Sequence, residues 1–258
     1  MAVIIPWIDN NEWFLYGDEC GPREPGEKRF FCYSVCAIPG ETQSEFFEAL
    51  PIAHRGRFGN HQFKEVYDGL VKSGGFGLCV YFNMSSPMIA AEKIPVLEAM
   101  RRQSELAKDL PIESSFWLYG LSFAFLECLA LICTKSLPVG KCHFIYDGRS
   151  LHKRAKEVLT KQGADIVDKM RNFLAKVKAI DSEGVLSRAN PKLDEFREGR
   201  TKEPGIRVAD FCAWYAYARL TNSNLPVMCD YRILDRTDML RPLPEQIHSA
   251  ALNRPVQL

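Results

Sequence analysis

Short apolar runs broken by turn residues dominate the first 150 positions of the chain. Trp13–Gly17 (WFLYG) is apolar and runs into Asp18-Glu19, which predicts a buried strand. The turn-forming GPREPGEK follows, and then Arg29–Ile38 (RFFCYSVCAI) predicts a second strand, so the pair reads as a hairpin. Glu41–Ala53 predicts a helix started at or near Thr42. Phe76–Asn83 (FGLCVYFN) predicts a third strand, and Met88–Lys108 and Glu113–Lys135 predict two helices. Lys141–Tyr146 (KCHFIY) predicts a fourth strand that ends in Asp147-Gly148. Leu151–Leu174 is amphipathic and basic, so helical, and Phe173–Ile180 is read as a short strand. Arg188–Glu203 is polar and predicts an extended loop, and Ile206–Leu220 (IRVADFCAWYAYARL) predicts an apolar helix. A Pro-rich tail from about residue 221 is expected to wrap the surface. This order predicts an α/β fold, a mixed sheet flanked by helices, as a single domain over 1–258 with a helical insertion near 88–136.

Composition narrows the class. Of the 258 residues, 47% are hydrophobic and 25% charged, which excludes a disordered chain, collagen and a coiled coil. Lys and Arg number 33 against 32 Asp and Glu, so overall charge gives no support to nucleic-acid binding and any such surface must come from local clustering. MAVIIPWIDNNEW lacks a basic n-region, and Asp9 and Glu12 interrupt its apolar run, so no signal peptide is read and a cytoplasmic setting is expected. Phe116–Cys133 is the longest apolar stretch; it contains Glu127 and is read as a buried core helix rather than a membrane span. Nine cysteines include no C-x-x-C pair. They read as small core residues in a reducing compartment, with a zinc–thiolate site around Cys32 and Cys36 as the weaker alternative.

Three carboxylates stand among apolar neighbours. Asp18 ends the WFLYG strand, Asp147 ends the HFIY strand, and Asp210 lies within VADFCAWYAYA. Each has an ordinary account: Asp147-Gly148 and Asp18-Glu19 suit turns, and Asp210 near a first helical turn would suit the helix dipole. Burying all three without compensation is costly, so a basic partner or a metal ion is expected. Hard cations such as Mg²⁺ or Mn²⁺ take oxygen ligands of this kind, and a two-metal site of such ligands hydrolyses phosphodiesters. If Asp18 and Glu19 both continue a strand, they face opposite sides, which places Glu19 second in rank.

At these residues the sequence resembles the domain-of-unknown-function 3800 family. Tyr16-Gly17-Asp18-Glu19-Cys20-Gly21 with the FFCYSV strand resembles its Asp-Glu-Ser-Gly opening. Ile145-Tyr146-Asp147 resembles its middle aspartate motif, and Gly205-Ile206-Arg207-Val208-Ala209-Asp210-Phe211 its Gly-Leu-Gln-Leu-Ala-Asp motif. The resemblance covers roughly residues 13–220 and implies a ribonuclease H-like fold in which Asp18, Asp147 and Asp210 bind two divalent ions. Cys20 stands where Ser is common and Arg207 where Gln is common. Arg207, three residues before Asp210, would either clamp a phosphate or neutralise Asp210 in place of a metal. His61 and Lys64-Glu65, in GNHQFKEVYDG, resemble a further family segment, which makes Lys64 a phosphate contact and Glu65 an extra ligand, or else a solvated helix start.

Charge clusters locally. Residues 149–202 carry 14 Lys and Arg against 8 Asp and Glu, 14 − 8 = +6, and begin directly after Asp147 with RSLHKRAKEVLTK. That segment is either a phosphate-backbone surface or the solvated face of an amphipathic helix. The expected activity is metal-dependent phosphodiester hydrolysis of nucleic acid, RNA or DNA, with Asp18, Glu19, Asp147 and Asp210 at the ions and Lys64, Arg149 and Arg207 on substrate. The alternative is a non-catalytic binding or regulatory protein on the same scaffold, because fold does not establish function.

Overall fold

The computed structural model describes residues 12–22, 29–50, 60–91, 112–135, 141–149, 151, 153, 155–157, 192–200, 202–222, 225, 228 and 231–240. In chain order these form β1 (Glu12–Cys20), β2 (Phe30–Pro39), α1 (Gly40–Ala49), α2 (Asn60–Lys72), β3 (Phe76–Asn83), α3 (Pro87–Ala90), α4 (Ile112–Lys135), β4 (Lys141–Tyr146), β5 (Lys192–Glu198), α5 (Pro204–Thr221) and β6 (Arg232–Asp235), followed by a 3-10 turn at Thr237–Leu240. The six strands make one sheet in the order β5-β4-β1-β2-β3-β6. β1, β2 and β3 form an antiparallel meander, β4 lies parallel to β1, β5 parallel to β4, and β6 parallel to β3. This is an α/β mixed sheet flanked by helices, as the order of elements in the sequence predicted.

Strand alternation sorts the core into two layers. Trp13, Leu15, Phe31, Tyr33, Val35, Leu78, Val80, Phe82 and Phe144 face α4, whose Phe116, Trp117, Leu121, Phe125 and Ile132 fill that side. Tyr16, Cys32, Cys36, Ile38, Cys79 and Ile145 face the other way, against Ile206, Ala209, Phe211, Cys212 and Tyr215 of α5 and Phe63 and Tyr67 of α2. The sheet is therefore buried on both faces, which explains why β2 and β3 read as continuous apolar runs rather than alternating ones. Ser114–Ile132 of α4 is long and apolar enough to cross a membrane, but two-thirds of it is buried against the sheet, as the core-helix reading expected.

Three sequence expectations change. α1 begins at Gly40, near the expected start, with Thr42 Oγ1 donating to the Ser73 carbonyl at 2.7 Å and tying α1 to the end of α2. The helix stops at Ala49 rather than Ala53. Within the stretch read as an extended loop, Lys192–Glu198 is an edge strand whose Phe196 stacks on Phe144 while most of its other residues are charged and exposed or half-buried. Edge strands need only one apolar contact face, so the charge-rich KLDEFRE hid it. Part of the tail also joins the sheet as β6 rather than wrapping the surface. Most of the helix expected over 88–108, most of that over 151–174, and the strand over 173–180 lie outside the described residues, although Lys153 and Ala155–Glu157 are helical.

Candidate functional site

The carboxylates meet because of the β1–β4 register and the seat of α5. β1 and β4 pair in parallel, with Gly17 opposite Tyr146, so the next residues, Asp18 and Asp147, are neighbours at the strand ends. The Asp147 N–H donates to the Gly17 carbonyl at 2.9 Å and extends the ladder by one bond. Asp18 follows Tyr16 on the α5 side of β1 by the two-residue alternation. α5 is delivered to the same place by Gly205: a Cβ there would lie 2.4 Å from the Tyr16 ring, so only glycine lets the helix start sit on that ring. Asp210 is then about 7.5 Å further along the helix, close to the roughly 6.6 Å that separates Tyr16 from Asp18 on the strand. It is the seventh residue of α5, beyond the first turn, so the helix dipole does not account for it.

The three differ in surroundings. Asp18 and Asp147 are buried, each 4% exposed, and Asp210 stands at the open rim. Asp18 Oδ1 accepts the Glu19 N–H at 2.8 Å, but Asp18 Oδ2 is buried with no hydrogen-bond partner. Burial, then the charges of Glu19, Asp147 and Asp210, hold the Asp18 carboxyl well above the usual carboxylate range. Asp210 is raised too, chiefly by the protein packed around it, against the lowering effect of Arg149. Both oxygens of Asp147 are engaged: its Oδ1 accepts the Arg149 backbone N–H at 2.8 Å, and its Oδ2 accepts Arg149 Nε at 2.6 Å and also contacts Arg149 Nη2. Cys20, beside them on the same face, has its thiol pushed up to about 12 by burial and by Asp210 and Asp18.

Glu19 takes the opposite face, as alternation required, and its Oε2 accepts the Trp117 Nε1–H of α4 at 2.9 Å. Its charge nevertheless reaches Asp18 and Asp210 around the strand end. The cation acting on Asp210 is Arg149 rather than Arg207, which is half-buried one turn earlier on α5. Lys64 and Glu65 are exposed on α2, whose Phe63 stacks on Tyr215 at 3.9 Å; the charges acting most on Asp18 and Asp210 do not include them. Trp117 was not singled out in the sequence because it sits inside an apolar helix with no local polar signal. The grip of Arg149 on Asp147 was likewise unseen, although Asp-Gly-Arg is a turn in which such a bond forms readily.

Among the described residues, no group of three or more His, Cys, Asp or Glu side chains is placed to hold a metal ion as it stands. The donor chemistry still fits a hard divalent ion: every candidate ligand is a carboxylate oxygen, and the buried Asp18 Oδ2 has an unmet need for a positive partner. The zinc–thiolate alternative gains no support: Cys32, Cys36 and Cys212 are packed as small apolar residues in the α5-side core, as the core-residue reading of the cysteines expected.

The sheet order, the two helical layers and the carboxylates at one end of adjacent parallel strands define an α/β protein with an acidic strand-end site. No protein-family model matches the sequence, and no curated protein does, so the resemblance to the domain-of-unknown-function 3800 family rests on its motifs. Among solved structures, the chain is similar to one in the PCNA:RNase HII complex from Archaeoglobus fulgidus, at 12% identity and TM-score 0.38, over 85% of this chain and 81% of that one. It is similar to ribonuclease H2 from Pyrococcus horikoshii OT3 at 12% identity and TM-score 0.39, over 85% and 80% of the two chains. Likeness of that size carries no argument about activity, which has to come from the site.

Proposed function

We propose that the protein is a metal-dependent phosphodiesterase acting on nucleic acid. The observation that carries this reading is Asp18 Oδ2: a buried, unpartnered oxygen flanked by the charges of Glu19, Asp147 and Asp210. A fold that gathers negative charge without an internal counter-ion at that atom is destabilised unless a cation arrives. Asp18, Asp147 and Asp210 would hold Mg²⁺ or Mn²⁺, with Glu19 as the second-rank carboxylate. Such ions supply the charge that activates water and stabilises the leaving oxygen of a phosphodiester. The chain's own part is to fix three carboxylates on two strands and a helix, and to place Arg149 beside them for the substrate phosphate. Lys64 and Arg207 are outer candidates for the phosphate backbone, and Glu65 for an accessory ligand.

One observation favours the non-catalytic alternative: Arg149 already neutralises Asp147. Calorimetric titration with Mn²⁺ separates the two, comparing the wild type with Asp147→Asn. Binding that disappears in the variant supports the enzyme and justifies a screen of RNA and DNA oligomers for cleavage. Absence of binding to both the wild type and Arg149→Gln, with a nucleic-acid oligomer also present, overturns it in favour of a scaffold.

A further inference from the structure

We infer that Arg149 is a latch on the site: its guanidinium holds Asp147 in the ion-free protein, competes with the divalent ion for that carboxylate, and is freed toward substrate phosphate when the ion binds. The inference rests on the metal-site reading above and adds the competition to it.

Three observations converge. Both oxygens of Asp147 are engaged by one residue, through the Arg149 backbone N–H at 2.8 Å and the side-chain Nε at 2.6 Å. An ion approaching Oδ2 must therefore displace a charge-assisted hydrogen bond and face the guanidinium's positive charge. The two partners differ in freedom: the Asp147 side chain is 6% exposed and fixed at a strand end, whereas the Arg149 side chain is 54% exposed. Only the arginine can leave without disrupting the core, and water awaits its guanidinium when it does. Finally, the backbone N–H of Arg149 stays on Oδ1 whatever the side chain does, so release of the guanidinium frees Oδ2 alone, with the carboxylate still oriented.

The electrostatics give the latch a reason. Arg149 is acted on by Asp147, Asp18 and Asp210 together. A single guanidinium offsets part of that charge while no ion is present, and a divalent ion offsets more. Once displaced, the guanidinium remains tethered two residues from Asp147, where a phosphate bound at the ion would find a planar, two-pronged donor.

The test is calorimetric Mn²⁺ titration of the full chain as wild type, Arg149→Gln and Lys153→Gln, the last removing an exposed cation four residues along to report the general effect of losing one positive charge. Arg149→Gln is expected to bind Mn²⁺ about tenfold more tightly than wild type, a factor that corresponds to about 1.4 kcal/mol. Lys153→Gln is expected to change affinity by less than about twofold, as a screened surface charge does. In parallel, the Arg149 Nε–H resonance should be sharp without metal and exchange-broadened on adding diamagnetic Mg²⁺. Binding to Arg149→Gln but not to wild type also supports the latch, as one closed tightly. If wild type binds Mn²⁺ and Arg149→Gln binds it equally well, more weakly, or no better than Lys153→Gln does, the latch is overturned while the metal site stands. If neither wild type nor Arg149→Gln binds, the metal-site reading itself has failed and the latch falls with it.

Discussion

Asp18 and Glu19 are consecutive, yet one carboxylate looks toward α5 and the other is held by Trp117 of α4 on the far side of the sheet, Nε1 to Oε2 at 2.9 Å. The indole thus fixes a second acid beside the first without crowding the same pocket. Trp117 is fully buried and stacks edge-on against Tyr33 and Tyr146, so Trp117→Phe keeps most of the packing and removes the indole N–H. A hydrogen bond to a charged group contributes roughly 1.5–3 kcal/mol, and the half-buried Glu19 can recover part of that from water, so a loss of about 1–2 kcal/mol is expected in urea unfolding. Mn²⁺ affinity should fall much less than in Asp147→Asn. An equal fall would show that Glu19 is a principal ligand rather than a second-rank one.

The raised carboxyls make a signed prediction for pH. The Asp18 carboxyl is held above its unfolded value, first by burial and then by Glu19, Asp147 and Asp210; Asp210 is raised in the same direction. Between the unfolded value of about 3.9 and the raised folded value, the native state binds more protons than the unfolded chain, so stability falls as pH rises through that window. The stabilising contribution is complete below the unfolded value and lost above the folded one. In chelator, the protein should therefore lose melting temperature from Asp18 and Asp210 as pH climbs from about 4 toward neutrality. Asp18→Asn should flatten that slope and raise the melting temperature at neutral pH, while abolishing stabilisation by Mn²⁺. A variant no more stable than wild type in chelator would mean that Asp18 already has a satisfactory partner.

Gly205 and Gly69 provide a matched pair. Both lie in helices, where alanine is ordinarily better than glycine by about 0.5–1 kcal/mol. At Gly69 of α2 an added Cβ would meet the Phe46 ring at 3.4 Å, an ordinary contact. At Gly205 it would meet three atoms of the Tyr16 ring within 2.5 Å, and the ring is pinned by packing and by Gln43 Nε2 donating to its hydroxyl at 2.9 Å. Gly69→Ala should leave stability unchanged or raise it, whereas Gly205→Ala should cost about 1–3 kcal/mol as overpacking does. Because Gly205 also seats the helix that carries Asp210, Gly205→Ala should weaken Mn²⁺ binding and Gly69→Ala should not.

The same residues show how far the sequence could be read. β1 to β4 were legible because a sheet buried on both faces writes itself as apolar runs, and α4 and α5 because their lengths exceed any strand. Asp18, Asp147 and Asp210 stood out by contrast with those runs, and the structure brings them together. β5 was lost because five of its seven residues are charged, and β6 because four residues in a Pro-rich stretch give no period to detect. The hold of Arg149 on Asp147 was not read for a different reason. Helical spacing drew attention to Arg207 near Asp210, but a turn closes over two residues, and the Asp147–Arg149 bond is made there. Contacts between distant elements, such as Glu19 with Trp117, leave no trace in spacing at all.

Tyr231 tests whether the C-terminal segment is part of the fold or an attachment to it. Its ring packs edge-on against Tyr67 and Tyr215, and its hydroxyl donates to the Cys212 carbonyl of α5 at 2.9 Å while touching the Ser34 hydroxyl of β2. Ser34 in turn donates to the Leu78 carbonyl at 3.1 Å, so one phenol links the segment before β6 to a helix and a central strand. All of these groups are buried, and removing the hydroxyl takes away the second hydrogen bond of the Cys212 carbonyl, which keeps its place in the α5 ladder. Tyr231→Phe should therefore cost about 0.5–1.5 kcal/mol in urea unfolding, the net worth of one intramolecular hydrogen bond. The ring and its packing remain, so β6 should stay paired with β3 and Mn²⁺ affinity should hold within about twofold of wild type. A stability loss within about 0.5 kcal/mol would instead mark the segment as an accessory, because surface substitutions away from structural features fall in that range.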